Sequence, residues 1–247
     1  MTNHHEALIQ ARIDLTAALR WAARLGLNEG IDNHFSMAAP GRADCFLVNP
    51  HGLHWSEIKP NDLVLVDFDG QVIEGKYGVE ATAYYIHGRI HCGNPRATVV
   101  LHTHMPYATA LAISDGNRLE MANQNALRYF GRVAYDESYH GLVLDFSEGD
   151  RICALLENAD VLFLSNHGVI VCGPTVAQAF DDLYFLERTC MVQVLAQSTG
   201  KALKLVPDSF AALTARQIAD DQQQPINHLA ALKRMLDRDE PGWSALD

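Results

Sequence analysis

The stretch ATVVLHTH, residues 97–104, joins a run of β-branched and apolar residues to two histidines. Such a run is typical of a buried strand. Side chains two residues apart in a strand point to the same side, so His102 and His104 are predicted to project together where the strand ends. They are candidate metal ligands. The competing interpretation is a pair of strand-end side chains that bond to solvent or to the backbone.

A third histidine stands in the motif SNHGVIVCG, residues 165–173. The motif predicts a tight turn at Asn166-His167 between two apolar strands, and Gly168 lets the backbone turn and other groups approach closely. Taken alone, His167 is a turn residue. Together with two histidines at another strand end it becomes a candidate third ligand, because sites assemble at strand ends in α/β folds. Three protein ligands and an open position are typical of catalytic zinc.

The rest of the chain alternates helical and strand patterns. Helices are predicted at residues 5–27, 79–93, 105–113 and 175–200, and strands at 46–49, 63–68, 97–103, 133–136, 161–165 and 168–173. Residues 28–36 are interpreted as a loop. Several connections are too short for right-handed crossovers, which predicts an antiparallel or mixed sheet. The prediction is one α/β domain over residues 1–205 and a helical C-terminal extension over 206–247, broken at Pro225.

The composition limits the class of protein. The 247 residues carry 19 basic and 30 acidic side chains, a net charge of −11, which argues against a nucleic-acid partner. The five cysteines are odd in number and form no C-x-x-C pair, as expected for a reducing cytoplasm. The N-terminus is too polar for a signal peptide, and no apolar run approaches the ~20 residues of a membrane span. We therefore expect a cytoplasmic protein without a membrane partner.

A rival histidine pair lies on the helix predicted over residues 79–93. His87 and His91 are four residues apart, a spacing that also serves zinc. Glu80 and Tyr84 fall on the same predicted helical face, which makes Glu80 a candidate acid/base. The alternative for the two histidines is packing at the edge of the helix, which we favour for His91.

Two loop-edge sequences offer small residues and exposed amides. Asn33 begins the motif at 33–36, and His51 and Gly52 lie in the motif at 49–53. Their backbone N–H groups could hold an anionic part of a substrate. Ordinary turn chemistry is the competing explanation.

A third set of polar residues lies in the sequence AYDESYHG, residues 134–141. Tyr135 and Tyr139 are candidates for the acid that protonates an intermediate. Packing or an oligomer contact explains them equally well.

The order of these motifs resembles the class II aldolase/adducin family. The motifs are NHFS (33–36), FLVNPHGLHWSEI (46–58), VEATAYYIH (79–87), VVLHTH (99–104), VAYDESYHG (133–141) and SNHGVIVCG (165–173). The resemblance runs from about residue 10 to residue 200. The middle segments are more similar to the adducin-head branch than to the sugar-phosphate aldolases.

The resemblance implies an α/β/α sandwich, a cyclic homotetramer with sites at subunit interfaces, and a divalent metal, usually zinc and sometimes manganese. His102, His104 and His167 match the metal histidines of the family. Glu80 is the candidate for the carboxylate beside the metal, as acid/base and as a further ligand. Its presence favours an enzyme over a scaffold, because the adducin branch usually has no carboxylate there.

Two departures from the family pattern affect the expected substrate and mechanism. The sugar-phosphate members place their carboxylate where this chain has Ala83, one helical turn nearer to His87, so Glu80 is shifted. Two serines that help to bind phosphate in the family fall where Gly78 and Val79 stand. A non-phosphorylated substrate is therefore expected.

The expected function is a metal-dependent lyase that cleaves a C–C bond, by retro-aldol reaction or by decarboxylation. Its substrate would be a small hydroxy-carbonyl or carboxylate compound. The metal would stabilise the enediolate that forms as the bond breaks. One alternative is a non-catalytic adducin-like interaction module, which bound metal would exclude. The other is an epimerase that uses the same intermediate, which product analysis would reveal.

Overall fold

The structure, a computed structural model that describes residues 2–246, is built around one eight-stranded sheet. The strands are β1 (His34–Ala38), β2 (Cys45–Val48), β3 (Val64–Asp67), β4 (Val72–Glu74), β5 (Val99–Thr103), β6 (Val133–Tyr135), β7 (Val161–Leu164) and β8 (Gly168–Gly173). In space they follow the order β4-β3-β2-β1-β5-β8-β7-β6. Neighbouring strands are antiparallel except for the parallel pair β6 and β7. The predicted mixed, mostly antiparallel sheet is confirmed.

Helices cover both faces of this sheet. They are α1 (Thr2–Arg24), α2 (Ala81–Ala83), α3 (Arg89–Gly93), α4 (Pro106–Ala112), α5 (Gln124–Leu127), α6 (Phe146–Leu156), α7 (Val176–Gln197), α8 (Asp208–Asp220) and α9 (Gln223–Asp239). A π-helical segment, Tyr84–Gly88, joins α2 to α3, and a short 3₁₀ helix spans Pro60–Asp62. Within residues 2–246, none of the helices combines the length and the hydropathy that crossing a bilayer requires.

The alternation of side chains along β5 explains the layered architecture. A large hydrophobic core, called the larger core below, lies on one face of the sheet and includes side chains from α1, α7 and α9. Val99 and Leu101 are fully buried in it. Val100 points the opposite way and packs with the π-helical segment, α3 and α6. Because successive side chains of a strand point to opposite faces, each face needs its own helical layer. The result is the α/β/α sandwich that the family resemblance implied.

The first strand is where the prediction fails. The predicted loop over residues 28–36 is wrong at its end, because His34–Ala38 form β1, which pairs with β2 and β5 in the middle of the sheet. The polar side chains of His34 and Ser36 lie on one face and find polar partners in the interior. Phe35 on the other face is fully buried in the larger core. Polar and apolar side chains thus alternate along β1, as in an ordinary strand, but the polar side chains are buried and not exposed to solvent.

Two helices also differ from the sequence expectation. Helix α6 was not predicted, although Asp145 caps it by accepting a hydrogen bond from Glu148 N at 3.0 Å. The break predicted at Pro225 lies instead between α8 and α9, and Pro225 stands in the first turn of α9. Proline is tolerated there, because the N–H groups of the first turn have no intrahelical acceptor.

The C-terminal extension packs against the N-terminal helix. Leu229, Leu232 and Leu236 of α9 are buried in the larger core, and Trp21 Nε1 of α1 donates to the carbonyl of Leu232 at 2.9 Å. The extension therefore completes the core on the α1 side of the sheet. A domain division near residue 205 stays a proposal, based on the change from mixed to helical structure.

Candidate metal centre

His102 is held by both strands that neighbour β5. Its ring lies on the same face as that of His34, its register partner in β1, with 6.1 Å between ring centroids. On the β8 side, His102 Nδ1 lies 3.0 Å from the carbonyl oxygen of Val169. Because a carbonyl oxygen only accepts, Nδ1 carries the proton and Nε2 keeps its lone pair. The sheet thus selects the tautomer that binds a metal through Nε2.

The NHG turn brings His167 beside the other two histidines. Asn166 takes the left-handed backbone conformation, with φ of 54°, which asparagine tolerates better than most residues. An added Cβ at Gly168 would lie 2.4 Å from the carbonyl oxygen of Thr103 and 2.8 Å from Cδ2 of His104. Only glycine lets the turn approach the end of β5 so closely.

The three histidines form a convergent set of ligands. One nitrogen from each of His102, His104 and His167 lies within 4.8 Å of the other two, and the ring centroids are 4.7–5.0 Å apart. Nitrogens that share one Zn²⁺ at ~2.1 Å lie about 3–4 Å apart, so small ring rotations suffice. His104 Nε2 is buried without a hydrogen-bond partner, an arrangement that costs free energy unless an ion binds there. The donor set fits a divalent metal.

Burial lowers the pKa of all three imidazoles, because a charged ring is poorly solvated in the interior. The pKa of His102 lies well below its ordinary value, through burial and then through the proximity of His167 and His104. Burial and the neighbouring His104 lower the pKa of His167 to about 4. Burial also lowers the pKa of His104. At neutral pH the three rings are uncharged, which is the form that binds metal.

Glu80 does not lie on the predicted helical face. Its backbone is extended, and its side chain caps α2 by accepting hydrogen bonds from the backbone N–H and the hydroxyl of Thr82. Glu80 Oε2 lies 2.6 Å from His34 Nε2. Burial opposes ionisation, but the contacts with His34 and Thr82 outweigh it and lower the pKa of Glu80 to about 2. Among the described residues 2–246, the side chains close enough together to share a metal ion are the three histidines, and Glu80 is not in this group. Glu80 as a further metal ligand therefore stays a prediction.

His34 is the site residue that sequence reasoning missed. Its ring is buried between the carboxylate of Glu80 and the ring of His102, and its Nδ1 has no hydrogen-bond partner. The signal was present in the sequence: His34 and Ser36 alternate with Phe35 in the period of a strand. The polar residues of that motif favoured a loop instead.

The rival pair His87 and His91 has a structural role. Ser36 Oγ lies 2.6 Å from His87 Nδ1 and 2.7 Å from His91 Nε2. His91 Nδ1 donates to the carbonyl oxygen of Ala97 at 2.8 Å, so its Nε2 accepts from the serine hydroxyl. Ser36 Oγ is then free to accept from His87 Nδ1. The packing interpretation of His91 is confirmed, and His87 belongs to the same network.

Replacing Ser36 by alanine is expected to destabilise the protein by about 2–3 kcal/mol, because two buried imidazole nitrogens lose their partner. Urea unfolding measures the effect. The matched control is Ser198→Ala, at an exposed helix end, with an expected change below about 0.5 kcal/mol. A change for Ser36→Ala as small as that of the control would show that Ser36 does not hold the two histidines.

A cavity of about 520 Å³ opens over the three histidines. Among the predicted substrate-binding residues, Asn33 and His51 line it, as does the candidate acid Tyr139, whereas Gly52 is not part of its lining. Asn33 Oδ1 accepts from the backbone N–H groups of Glu29, at 3.1 Å, and His104, at 3.3 Å. The side-chain oxygen of Asn33 therefore positions the end of β5.

Tyr135 lies in a different cavity from the histidines. Its hydroxyl oxygen accepts a hydrogen bond from the backbone N–H of Leu119 at 3.0 Å. Burial raises the pKa of Tyr135 to about 12. The structure brings Tyr139 to the site and keeps Tyr135 apart from it, so a catalytic role for Tyr135 stays a prediction that this geometry does not support.

Comparison with known proteins identifies the family. Residues 13–194 match the family model described as "Class II Aldolase and Adducin N-terminal domain". The chain belongs to the class II aldolase/adducin family. The matched range includes every residue of the candidate metal centre.

Individual members of the class II aldolase/adducin family align over almost the whole chain. A protein of Caulobacter vibrioides whose name refers to class 2 aldolases is 34% identical, over 97% of this chain and 93% of its own length. Decarboxylase NovR of Streptomyces niveus is 33% identical, over 93% and 86%. The crystal structure of an aldolase II superfamily protein from Pseudomonas syringae, 34% identical, superposes with a TM-score of 0.88 over 95% of this chain and 94% of that one.

Proposed function

We propose that the protein is a metal-dependent lyase that cleaves a C–C bond of a small, non-phosphorylated hydroxy-carbonyl or carboxylate compound. The observation that carries this proposal is the set of three uncharged histidines whose nitrogens converge at the base of a cavity. Membership of the class II aldolase family and the similarity to a protein named a decarboxylase support a lyase. Both retro-aldol cleavage and decarboxylation fit this site.

His102, His104 and His167 would hold the metal, and zinc suits three imidazole ligands best, with manganese as the alternative. When bound, the metal acts as a Lewis acid toward the negative charge that builds on a substrate oxygen as the bond breaks. The strands contribute rigidity, because Val169 fixes the tautomer of His102 and Asn33 fixes the backbone of His104. Rigid ligands keep the open side of the site toward the cavity.

Glu80 and His34 are proposed to move the proton as a pair. With a pKa of about 2, Glu80 is a carboxylate at neutral pH and by itself a weak base. Its contact with His34 Nε2 orients the imidazole, whose ring centroid lies 6.1 Å from that of His102. Tyr139, which also lines the cavity, is proposed as the acid on the other side of the substrate.

The decisive experiment is elemental analysis of the purified protein, followed by a screen of hydroxy-keto acids for aldehyde formation and for CO₂ release. About one equivalent of metal per chain and cleavage of a screened compound are expected. Metal well below one equivalent, with the stability unchanged in His102→Ala, would refute the lyase and leave the adducin-like interaction module. Rearrangement without cleavage would identify an epimerase.

The two tyrosines are expected to differ in their kinetics. Tyr139→Phe removes a hydroxyl beside the cavity and should lower kcat by about 100-fold on a substrate found in the screen. Tyr135→Phe removes only a hydrogen bond to Leu119 N, so kcat should stay within about threefold while stability falls by about 1 kcal/mol. Equal losses of kcat in both variants would contradict the assignment of Tyr139.

A homotetramer and a cytoplasmic location belong to the same proposal, as does a small-molecule partner. The family supports an oligomer, and analytical ultracentrifugation of the metal-loaded protein tests it. A monomer would remove any role for a neighbouring subunit in the site.

A further inference from the structure

Part of the lining of the cavity over the histidines is apolar. Ile86 of the π-helical segment and Val143 are both buried, and Tyr139, Leu142 and Leu144 line the cavity beside them. The polar part of the lining includes the three histidines with His34, His51 and Glu80. A ligand in this cavity therefore has both polar groups and apolar side chains within its reach.

The loop between β6 and α6, which carries most of these apolar side chains, is anchored at its start and in its middle. At one end, Asp136 accepts hydrogen bonds from Arg151 at 2.5 and 3.1 Å. In the middle, Val143 is only 4% exposed and packs in the core beneath the sheet, whereas Leu142 is 72% and Leu144 58% exposed. Contact between these leucines and an apolar group of a ligand is favourable, because it removes apolar surface of both from water.

The cavity lacks the groups that recognise phosphate. No lysine or arginine among the described residues 2–246 lines it, although phosphate sites in proteins rely on these cations. The backbone N–H of Thr82, a residue that lines the cavity, already donates to the carboxylate of Glu80. A phosphate placed there would meet like charge instead of a free N–H group.

We infer that the substrate carries an uncharged apolar substituent, about the size of a phenyl ring, that packs against Leu142, Val143 and Leu144 while its hydroxy-carbonyl or carboxylate end faces the histidines. This inference rests on the proposed function, since the metal centre fixes which end of the ligand reacts. A cavity of about 520 Å³ has room for such a compound.

Three hydroxamates test this inference, because they bind a histidine-held divalent metal through two adjacent oxygens and differ in the rest of the molecule. The probes are acetohydroxamate, phenylacetohydroxamate and phosphoglycolohydroxamate, each titrated calorimetrically into the zinc-loaded full-length protein. Phenylacetohydroxamate should bind at least about tenfold more tightly than acetohydroxamate, because its ring leaves water. Phosphoglycolohydroxamate should bind no more tightly than acetohydroxamate.

A double variant and a control variant test whether Leu142 and Leu144 cause the preference for phenylacetohydroxamate. The double variant Leu142→Ser/Leu144→Ser changes two exposed residues and should reduce the tenfold preference to less than about threefold. The control Leu205→Ser changes an exposed leucine outside the cavity and should leave the preference intact. Sedimentation of each variant confirms that its assembly is unchanged.

The outcomes separate the inference from the function on which it rests. Equal affinities for the two uncharged hydroxamates, tightest binding of the phosphorylated one, or a preference unchanged in the double variant would each overturn the inference while leaving the metal site intact. Failure of the protein to bind zinc when it is loaded for these titrations would overturn the proposed function itself.

Discussion

Replacing His104 by alanine is expected to weaken the binding of Zn²⁺ by more than about 100-fold. Loss of a group that merely supports a ligand costs 10–100-fold, and His104 is itself a proposed ligand. Its Nε2 is buried and has no hydrogen-bond partner among residues 2–246. Competition with a chelating dye measures the affinity. His54→Ala, at an exposed histidine outside the cavity, is the control and should bind as the parent protein does.

Stability without metal should change little in His104→Ala, because the substitution relieves an unpartnered polar group. Thermal unfolding of the metal-free proteins tests this point. An affinity for Zn²⁺ within about threefold of the parent would exclude His104 as a ligand, whatever the stability.

Replacing Gly168 by alanine should damage both the fold and the metal site. The added methyl group would meet the carbonyl oxygen of Thr103, which cannot move without shifting β5, and the ring of His104, which would be displaced. Overpacking of this kind costs about 1–3 kcal/mol of unfolding free energy. Because the displaced ring belongs to His104 and the displaced turn carries His167, zinc affinity should also fall at least about tenfold.

Gly78→Ala is a matched control for Gly168→Ala. An added Cβ at Gly78 has no neighbour within 4 Å, so this substitution should be neutral or slightly stabilising. Urea unfolding and zinc titration on both variants give the comparison. If Gly168→Ala loses stability but binds zinc normally, the close approach of the turn stabilises the sheet but does not position the metal ligands.

The three candidate metal ligands could be predicted from the sequence because short-range rules place them. The period of two along a strand puts His102 and His104 on one side, and the turn at Asn166-Gly168 exposes His167 at another strand end. What the sequence alone left open was whether these two strand ends meet. The direct antiparallel pairing of β5 with β8 brings them together.

Glu80 and His34 could not be placed by the same rules. Helical spacing put Glu80 on a face with Tyr84 and His87, but the helix begins one residue later and contains a π-helical segment that changes the spacing. His34 looked like a loop residue because a buried strand with a polar face is uncommon. Its environment is set by partners distant in the sequence, which no local pattern reveals.

The central claim is that His102, His104 and His167 together hold one divalent metal ion. The most direct test is a crystal structure of the zinc-loaded protein with anomalous diffraction data collected at the zinc edge. The account predicts one anomalous peak per chain at the base of the cavity, about 2.0–2.1 Å from one nitrogen of each of the three histidines. A peak elsewhere, or a fully zinc-loaded protein with no peak among these residues, would contradict it.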